Sequence, residues 1–492
     1  MGSSRADIAR VQSLGYDGWL TEQFSVPRAT SHWDWMAAVG YASPNVPEGF
    51  DNSVWRQLIT GQDQLRQRVG MALLEMLVVG VSGLDGNWSD YAIAGYLDVL
   101  MDNSFGNYRT LLEKVSTSTT MSWYLTFENN QKANPQTGAQ PDENYARELM
   151  QLFTIGLYQL NPDGTLKMSG GKPVETYAQA DVSGLARVFT GFTWDPFTYQ
   201  SNYDTTPARL RRPLIQEPQW HEMGVKTFLG TTIPAGTDGF ASLRIALDAL
   251  FAHPNVPPFV SEQLIQRLVT SNPSPAYVGR VAAAFANNGS GVRGDLRAVV
   301  RAILLDAEAR NGAATNSFGK LREPIMRLTG WARAFGATSP SDRWEIGNTG
   351  DPAALGQCAG HSPSVFNFFR PGYRPPNTAI AQQSLVAPEF QITNEISVVG
   401  YLNYLETLIE EGVPFTDFKP NYAEILTLAG DAQALVEEVN LLLAAGQLSA
   451  ATLATIRTAV ESISTSAARG PLNRVHTAIM LVMASPEYIT LK

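Results

Sequence analysis

Residues 141–156 read Pro141-Asp142-Glu143-Asn144-Tyr145-Ala146-Arg147-Glu148-Leu149-Met150-Gln151-Leu152-Phe153-Thr154-Ile155-Gly156, and their pattern decides the fold class. Asp142 stands where an N-cap belongs, Glu143 in the first turn faces the positive end of the helix dipole, and Gly156 stands where a glycine ends a helix. At about 100° per residue, Tyr145, Leu149, Leu152 and Phe153 share one face. Glu143 and Arg147 lie opposite, spaced i,i+4 as a surface ion pair. Glu148 differs, because it projects between Leu152 and Ile155 at the edge of the apolar face. A carboxylate in that position must be paired, hydrogen-bonded or partly protonated, since an unpartnered charge in a low-dielectric site is costly. Glu148 is therefore either an acid/base group or a packing anchor for an arginine such as Arg187.

Working outward, helical periodicity recurs along most of the chain. Residues 6–14, 16–24 and 53–58 read as helices, and Asp63 to Val79 has a polar first turn and an apolar second half, as expected of a helix entering a core. Asn161-Pro162-Asp163-Gly164 is a turn signal for a small hairpin. Thr176-Tyr177-Ala178-Gln179 reads as a capping box opening the next helix. Two long stretches, 192–240 and 337–398, are rich in aromatic, Pro and Gly residues and read as irregular loops that meet on one face. The fold class predicted is mainly α, a multi-helix assembly with two long loops and at most a small β-hairpin. Soft boundaries near 240 and 400 divide it into an N-terminal helical region (1–240), a middle region (241–400) and a C-terminal helical region (401–492).

With 492 residues, 44% of them hydrophobic and 17% charged, the chain has the make-up of a globular protein able to bury a large core. A net charge of −10 argues against nucleic acid as a partner. No apolar run is long enough to span a membrane. The one cysteine, Cys358, excludes an internal disulfide and any multi-cysteine metal centre. The five histidines show no i,i+4 pair of the zinc-hydrolase kind, so no metal site and no cofactor is assigned. Met1-Gly2-Ser3-Ser4 reads as an added leader rather than a signal peptide.

The run 141–156 resembles the signature of the bacterial family DUF1800, a domain of unknown function. The resemblance continues through Asp181 to Trp194, His221 to Gly230, His253 to Tyr277, Gly319 to Pro324, Ser364 to Arg370 and Ala387 to Asn394. It spans roughly residues 5–490. It implies an exported protein, periplasmic or extracellular, and a sulfatase-like protein as a partner, but carries no activity. Some relatives have a histidine where this chain has Phe153, so no role transfers to that position.

Carboxylates are the best supplied chemistry. Glu148, Asp181 and Glu143 fall on two successive helices, and paired acids with separated pKa values are what glycosidic hydrolysis needs. Acids at helix starts also serve as caps. His221, with Glu222 and Lys226, forms a polar knot that offers an acid, a base and an anion clamp, or else pins its loop. His361 opens the second aromatic loop and can line a pocket. Trp194, Tyr199, Trp220, Phe366, Phe369 and Tyr373 suit stacking on sugar rings, or sealing the helical core. Two readings follow: a hydrolase acting on an extracellular polymer such as a glycan, with Glu148, Asp181 and Glu143 catalytic, or a non-catalytic binding protein that partners the sulfatase-like neighbour through the aromatic loops.

Overall fold

The computed structural model describes residues 1–41, 48–195, 206–312, 315 and 317–492. Its first part is built from α1 (Arg5–Ser25), α2 (His32–Ala38), α3 (Glu48–Thr60), α4 (Gln64–Met76), α5 (Ser89–Asp102), α6 (Tyr108–Ser116) and α7 (Thr119–Tyr124). Helix α5 is apolar nearly all round, with Tyr91, Ala92, Ile93, Ala94, Tyr96 and Leu97 buried. Such a helix can only be stable enclosed, and α2, α3, α4, α6 and α7 all pack on it.

The run 141–156 does not continue as one α-helix. Asp142 accepts from the Asn144 amide at 2.7 Å, as an Asx turn rather than an N-cap, and α8 spans only Asn144–Glu148. Leu149–Thr154 then widens into a π-helix, with Ile155 N–H donating to Met150 O at 2.9 Å. Side chains take up what the wider turn releases: Thr154 Oγ1 donates to Leu149 O at 2.6 Å and Tyr108 Oη to Phe153 O at 2.7 Å. Single π turns of this kind are often found at functional sites. The turn ends at Gly156, φ 70°, where a Cβ would lie 2.9 Å from the Phe259 ring.

The next segment holds two-stranded antiparallel pairs: β1 (Met168–Ser169) with β2 (Lys172–Pro173), β3 (Phe192–Thr193) with β4 (Ile215–Gln216), and β5 (Lys226–Phe228) with β6 (Thr231–Ile233), around α9 (Gln179–Ala186). Thr176 is not a cap, because its hydroxyl donates to Gly156 O. The start of α9 is closed instead by Asp181, whose carboxylate accepts from Ala178 N–H at 2.8 Å. Described residues of 192–240 pack on α5, α7, α9 and α10 (Gly239–Ala252).

Helices α11 (Val256–Leu268), α12 (Pro275–Ala286), α13 (Leu296–Leu305) and α14 (Ala307–Asn311) follow, then β7 (Lys320–Leu321) and α15 (Pro324–Ala334). The loop 337–398 carries only α16 (Ala379–Gln382) and a 3₁₀ turn at Pro388–Ile392. The chain ends in α17 (Glu395–Glu411), α18 (Ala423–Leu426), α19 (Ala432–Ala444), α20 (Ala450–Glu461), α21 (Gly470–Ala484), α22 (Pro486–Ile489) and β8 (Thr490–Leu491), which returns to pair with β7. The protein is mainly α, as its periodicity predicts, and buried apolar residues from Leu20 to Tyr488 join in one cluster. Among the described residues no helix is long and apolar enough to cross a membrane.

Asn255, at the start of α11, pins the chain leaving the π turn. Its Nδ2 donates to Ile155 O and Tyr158 O, both at 2.8 Å, and its Oδ1 accepts from Leu160 N–H at 2.9 Å. Asn255→Ala leaves these backbone groups without partners and is expected to cost about 3 kcal/mol, read as a lower midpoint in urea denaturation with unchanged slope.

Candidate active site

The chain pinned by Asn255 forms one wall of an open groove. Gly156 to Leu166, the α11 residues Phe259, Glu262, Gln263 and Gln266, the corner Ser271-Asn272-Pro273, and Pro371, Gly372, Leu385 and Val386 enclose about 510 Å³. The far wall is held by Asn272, which donates to Val386 O at 2.9 Å and accepts from Val386 N–H at 2.8 Å. An adjoining hollow of about 260 Å³ shares Gly156, Leu157, Phe259, Gln263 and Pro371 with the groove. It deepens toward Glu75 and Arg267 and is rimmed by Gln151, Phe366 and Arg370. Arg370 lies 4.5 Å over the Phe366 ring, so the rim presents an aromatic face backed by a cation.

Beneath the hollow lies a buried ionic cluster. Lys320 Nζ contacts Glu389 Oε1 at 2.8 Å and Glu323 Oε1 at 3.4 Å, and donates to Arg267 O at 2.9 Å. Glu323 Oε2 accepts from Gln357 Nε2 at 3.0 Å, and Arg68 stands 3.6 Å from Oε1. Arg267 Nε is 3.5 Å from Glu75 Oε2. The Glu75 and Glu323 carboxyls interact, so that their ionisations are linked. Burial, then the charge of Glu323, pushes Glu75 well above the carboxylate range. Glu323 is buried as deeply, yet Lys320, Arg68 and the Glu75 hydrogen bond hold it below that range. At neutral pH Glu75 therefore carries the proton and Glu323 the charge.

Glu262 projects from α11 into the groove itself. Burial alone pushes its carboxyl up to about 7, which places its titration where a general acid/base works. Glu148 sits one turn before Gln151 on α8, 8% exposed, with Oε2 lacking a hydrogen-bond partner among the described residues. Burial raises it and the charge of Arg147 offsets this only in part. Arg187 is not its anchor, because Arg187 pairs with Glu222 at 3.2 Å and donates to Val225 O at 2.8 Å.

Residues 1–490 match the family described as Protein of unknown function (DUF1800). The chain belongs to DUF1800. No curated protein and no solved structure matches it. In this DUF1800 chain, five of the stretches that carry the sequence resemblance meet at the groove and its floor. They supply Gln151 and Leu152, then Phe259, Glu262 and Arg267, then Lys320 and Glu323, then Phe366 and Arg370, and lastly Glu389.

The other two stretches, 181–194 and 221–230, meet each other instead. Asp181 accepts from Ala178 N–H at 2.8 Å and Leu229 N–H at 2.7 Å, so its carboxylate is spent on backbone amides. Glu143 accepts from Ser183 at 2.5 Å and Gln179 at 2.7 Å and pairs with Arg147 at 3.2 Å, and these contacts hold it below its usual range. Both acids are thus engaged in local contacts where α9 packs on α8, the helix that carries Glu148. His221 is fully buried, with Nδ1 2.7 Å from Thr190 O, and burial pushes its imidazole down. Lys226, also fully buried, donates to Ser242 Oγ at 3.3 Å. This knot fastens the loop to α10 and offers no open anion clamp.

Trp194 packs 5.4 Å from Trp123 under the Arg209 guanidinium, and Trp220 O accepts from Lys132 N–H at 2.8 Å. Phe369 is buried in the 337–398 loop, while Tyr373 is half-buried. Tyr199 lies outside the described residues. None of the described residues of 192–240 lines the groove, so the two long loops do not build it together. His361 donates from Nε2 to Asp51 Oδ1 at 2.7 Å, away from the groove.

Sequence reading missed Glu75, Glu262, Arg267, Lys320 and Glu323. The signal that singled out Glu148, a charge at the edge of an apolar helical face, also marks Glu75 within Met71-Ala72-Leu73-Leu74-Glu75-Met76.

Two stability predictions follow from these charges. Glu75→Gln presents an amide donor to Glu323 as the protonated acid does and should change stability by less than about 1 kcal/mol at pH 7, whereas Glu323→Gln removes the carboxylate facing Arg68 and one of the two facing Lys320, and should cost on the order of 3 kcal/mol, both measured by chemical denaturation. For Glu262, the folded protein keeps a proton that the unfolded chain releases between 4.5 and about 7. The stability from that proton is full below the unfolded value and is lost as pH rises through the folded value. Glu262→Gln should therefore gain on the wild type between pH 4.5 and 7, by at most about 3 kcal/mol, read as a widening melting-temperature difference.

Proposed function

We propose that the chain is an exported hydrolase acting on an extended extracellular polymer, such as a glycan, laid along the groove, with Glu262 as its general acid/base. What carries this reading is the placement of Glu262, a carboxyl that burial pushes up to about 7, in the wall of an open groove. In an ester cleavage, ionised Glu262 takes a proton from the attacking water as that oxygen bonds to the carbonyl carbon, and returns it to the leaving oxygen as the tetrahedral intermediate collapses. In a glycosidic cleavage, protonated Glu262 gives its proton to the leaving oxygen as that bond breaks, and a second carboxylate serves the opposite face of the sugar. Leu157, Tyr158 and Leu166, 41–49% exposed along the rim, supply apolar surface for stacking on sugar faces.

A second reading, a non-catalytic binder of the sulfatase-like protein, draws support from α17, where Ile396, Val398 and Val399 are 49–67% exposed. A screen of glycan and ester substrates separates the two. The hydrolase reading expects turnover whose kcat/KM inflects near pH 7, and a loss of about 100-fold or more in Glu262→Gln with the fold retained. Wild-type activity in that variant, or no turnover of any substrate alongside capture of the partner by the α17 face, overturns it.

A further inference from the structure

Outside the groove, three side chains with metal-binding atoms converge across a long sequence gap. Cys358 and His361 are the ends of Cys358-Ala359-Gly360-His361, a turn closed by His361 N–H donating to Cys358 O at 3.1 Å. Gly360 makes the turn possible: its φ is 73°, and a Cβ there would lie 2.5 Å from Phe50 and 2.7 Å from Ile93. Gly360 O accepts from Val81 N–H at 2.8 Å, which fixes the turn against the body of the protein. The turn therefore presents Sγ and the imidazole side by side toward Asp51 on α3, 307 residues before Cys358. Asp51 Oδ1 lies 2.7 Å from His361 Nε2 and 3.7 Å from Cys358 Sγ. One ligand atom from each residue falls within 4.8 Å of the others. Asp51 and Cys358 are buried, while the His361 side chain is 21% exposed and opens the cluster to solvent.

We propose that Asp51 Oδ1, Cys358 Sγ and His361 Nε2 form a zinc site that clips the loop carrying Cys358 onto α3. A thiolate, an imidazole and a carboxylate are a donor set that zinc favours, and their two negative charges neutralise a divalent ion in a buried setting. A fourth position faces solvent on the His361 side. Binding releases the thiol proton to solvent and moves the imidazole proton from Nε2 to Nδ1, so affinity rises with pH.

Asn348 gives the site a distinctive handle. Its Oδ1 accepts from Gly350 N–H at 2.8 Å, so its amide nitrogen faces His361 Nδ1 at 3.1 Å. That arrangement favours a proton on Nε2 and works against the metal. A carboxylate at position 348 would accept from both Gly350 N–H and Nδ1–H, as carboxylates do behind zinc-bound histidines. The clip also bears on the groove, because the loop continues directly from His361 into Val365, Phe366 and Arg370.

The test uses the full chain, stripped with a chelator and titrated with Zn²⁺ and Co²⁺. One equivalent of Zn²⁺ should bind per chain, and Co²⁺ should give a thiolate-to-cobalt charge-transfer band that is absent in Cys358→Ser. Asn348→Asp should tighten binding by roughly tenfold, and His361→Gln should weaken it by more than the roughly 10- to 100-fold that loss of a supporting hydrogen bond costs. His361 reaches solvent, so its variant keeps the test decisive if Cys358→Ser does not fold. Binding below one equivalent, a cobalt band that survives Cys358→Ser, or affinity indifferent to both His361→Gln and Asn348→Asp overturns the site.

Discussion

The Lys320 ammonium, 1% exposed between Glu389 and Glu323, is the contact on which the arrangement of this protein depends. Burying ions is costly unless each is paired and hydrogen-bonded, and breaking one such pair is more costly than never forming it. Here the partners come from parts of the chain that have no local reason to meet. Glu75 and Arg68 lie on α4, Arg267 on α11, Glu323 at the start of α15, and Glu389 in the turn before α17. Lys320 itself sits in β7, the strand that receives the C-terminal β8. The cluster thus fixes where α4, α11 and the 364–392 loop stand relative to one another, and the groove is the space left between them.

That frame explains how one chain keeps carboxyls in different protonation states a short way apart. Glu323, beside Lys320 and Arg68, stays charged, while Glu75, raised by burial and by the charge of Glu323, keeps the proton. Glu262 has no such company among the described residues, and burial pushes it up to about 7. Desolvation and specific pairing act in opposite directions, and their balance at each site sets which acids keep their proton.

The helical class was legible because the apolar period of about 3.6 residues persists through helices such as α5, α11 and α21. The central helix was legible in place but not in kind. Its π turn depends on Tyr108, Asn255 and Phe259, partners distant in sequence, and no local pattern announces them. Glu148 was legible as an acid at the edge of the core, and it is buried, whereas the local partners of Asp181 and Glu143 were not legible, because the amides and hydroxyls they accept from come from α9 and the loop beyond it. The groove acids escaped notice for a related reason. Glu75 and Glu262 lie inside otherwise ordinary amphipathic helices, and their significance appears only when α4 and α11 pack side by side. The Asp51, Cys358 and His361 convergence was likewise invisible, since only the Cys358 to His361 spacing is local.

The most direct test of this account is the ionisation of Glu262 itself, followed by carbon-13 NMR of its side-chain carboxyl in selectively labelled protein and assigned by Glu262→Gln. The account predicts a single titration centred near 7. A midpoint near the ordinary value of 4.5 would mean that water reaches the carboxyl freely, and would contradict the placement of an acid/base in this groove.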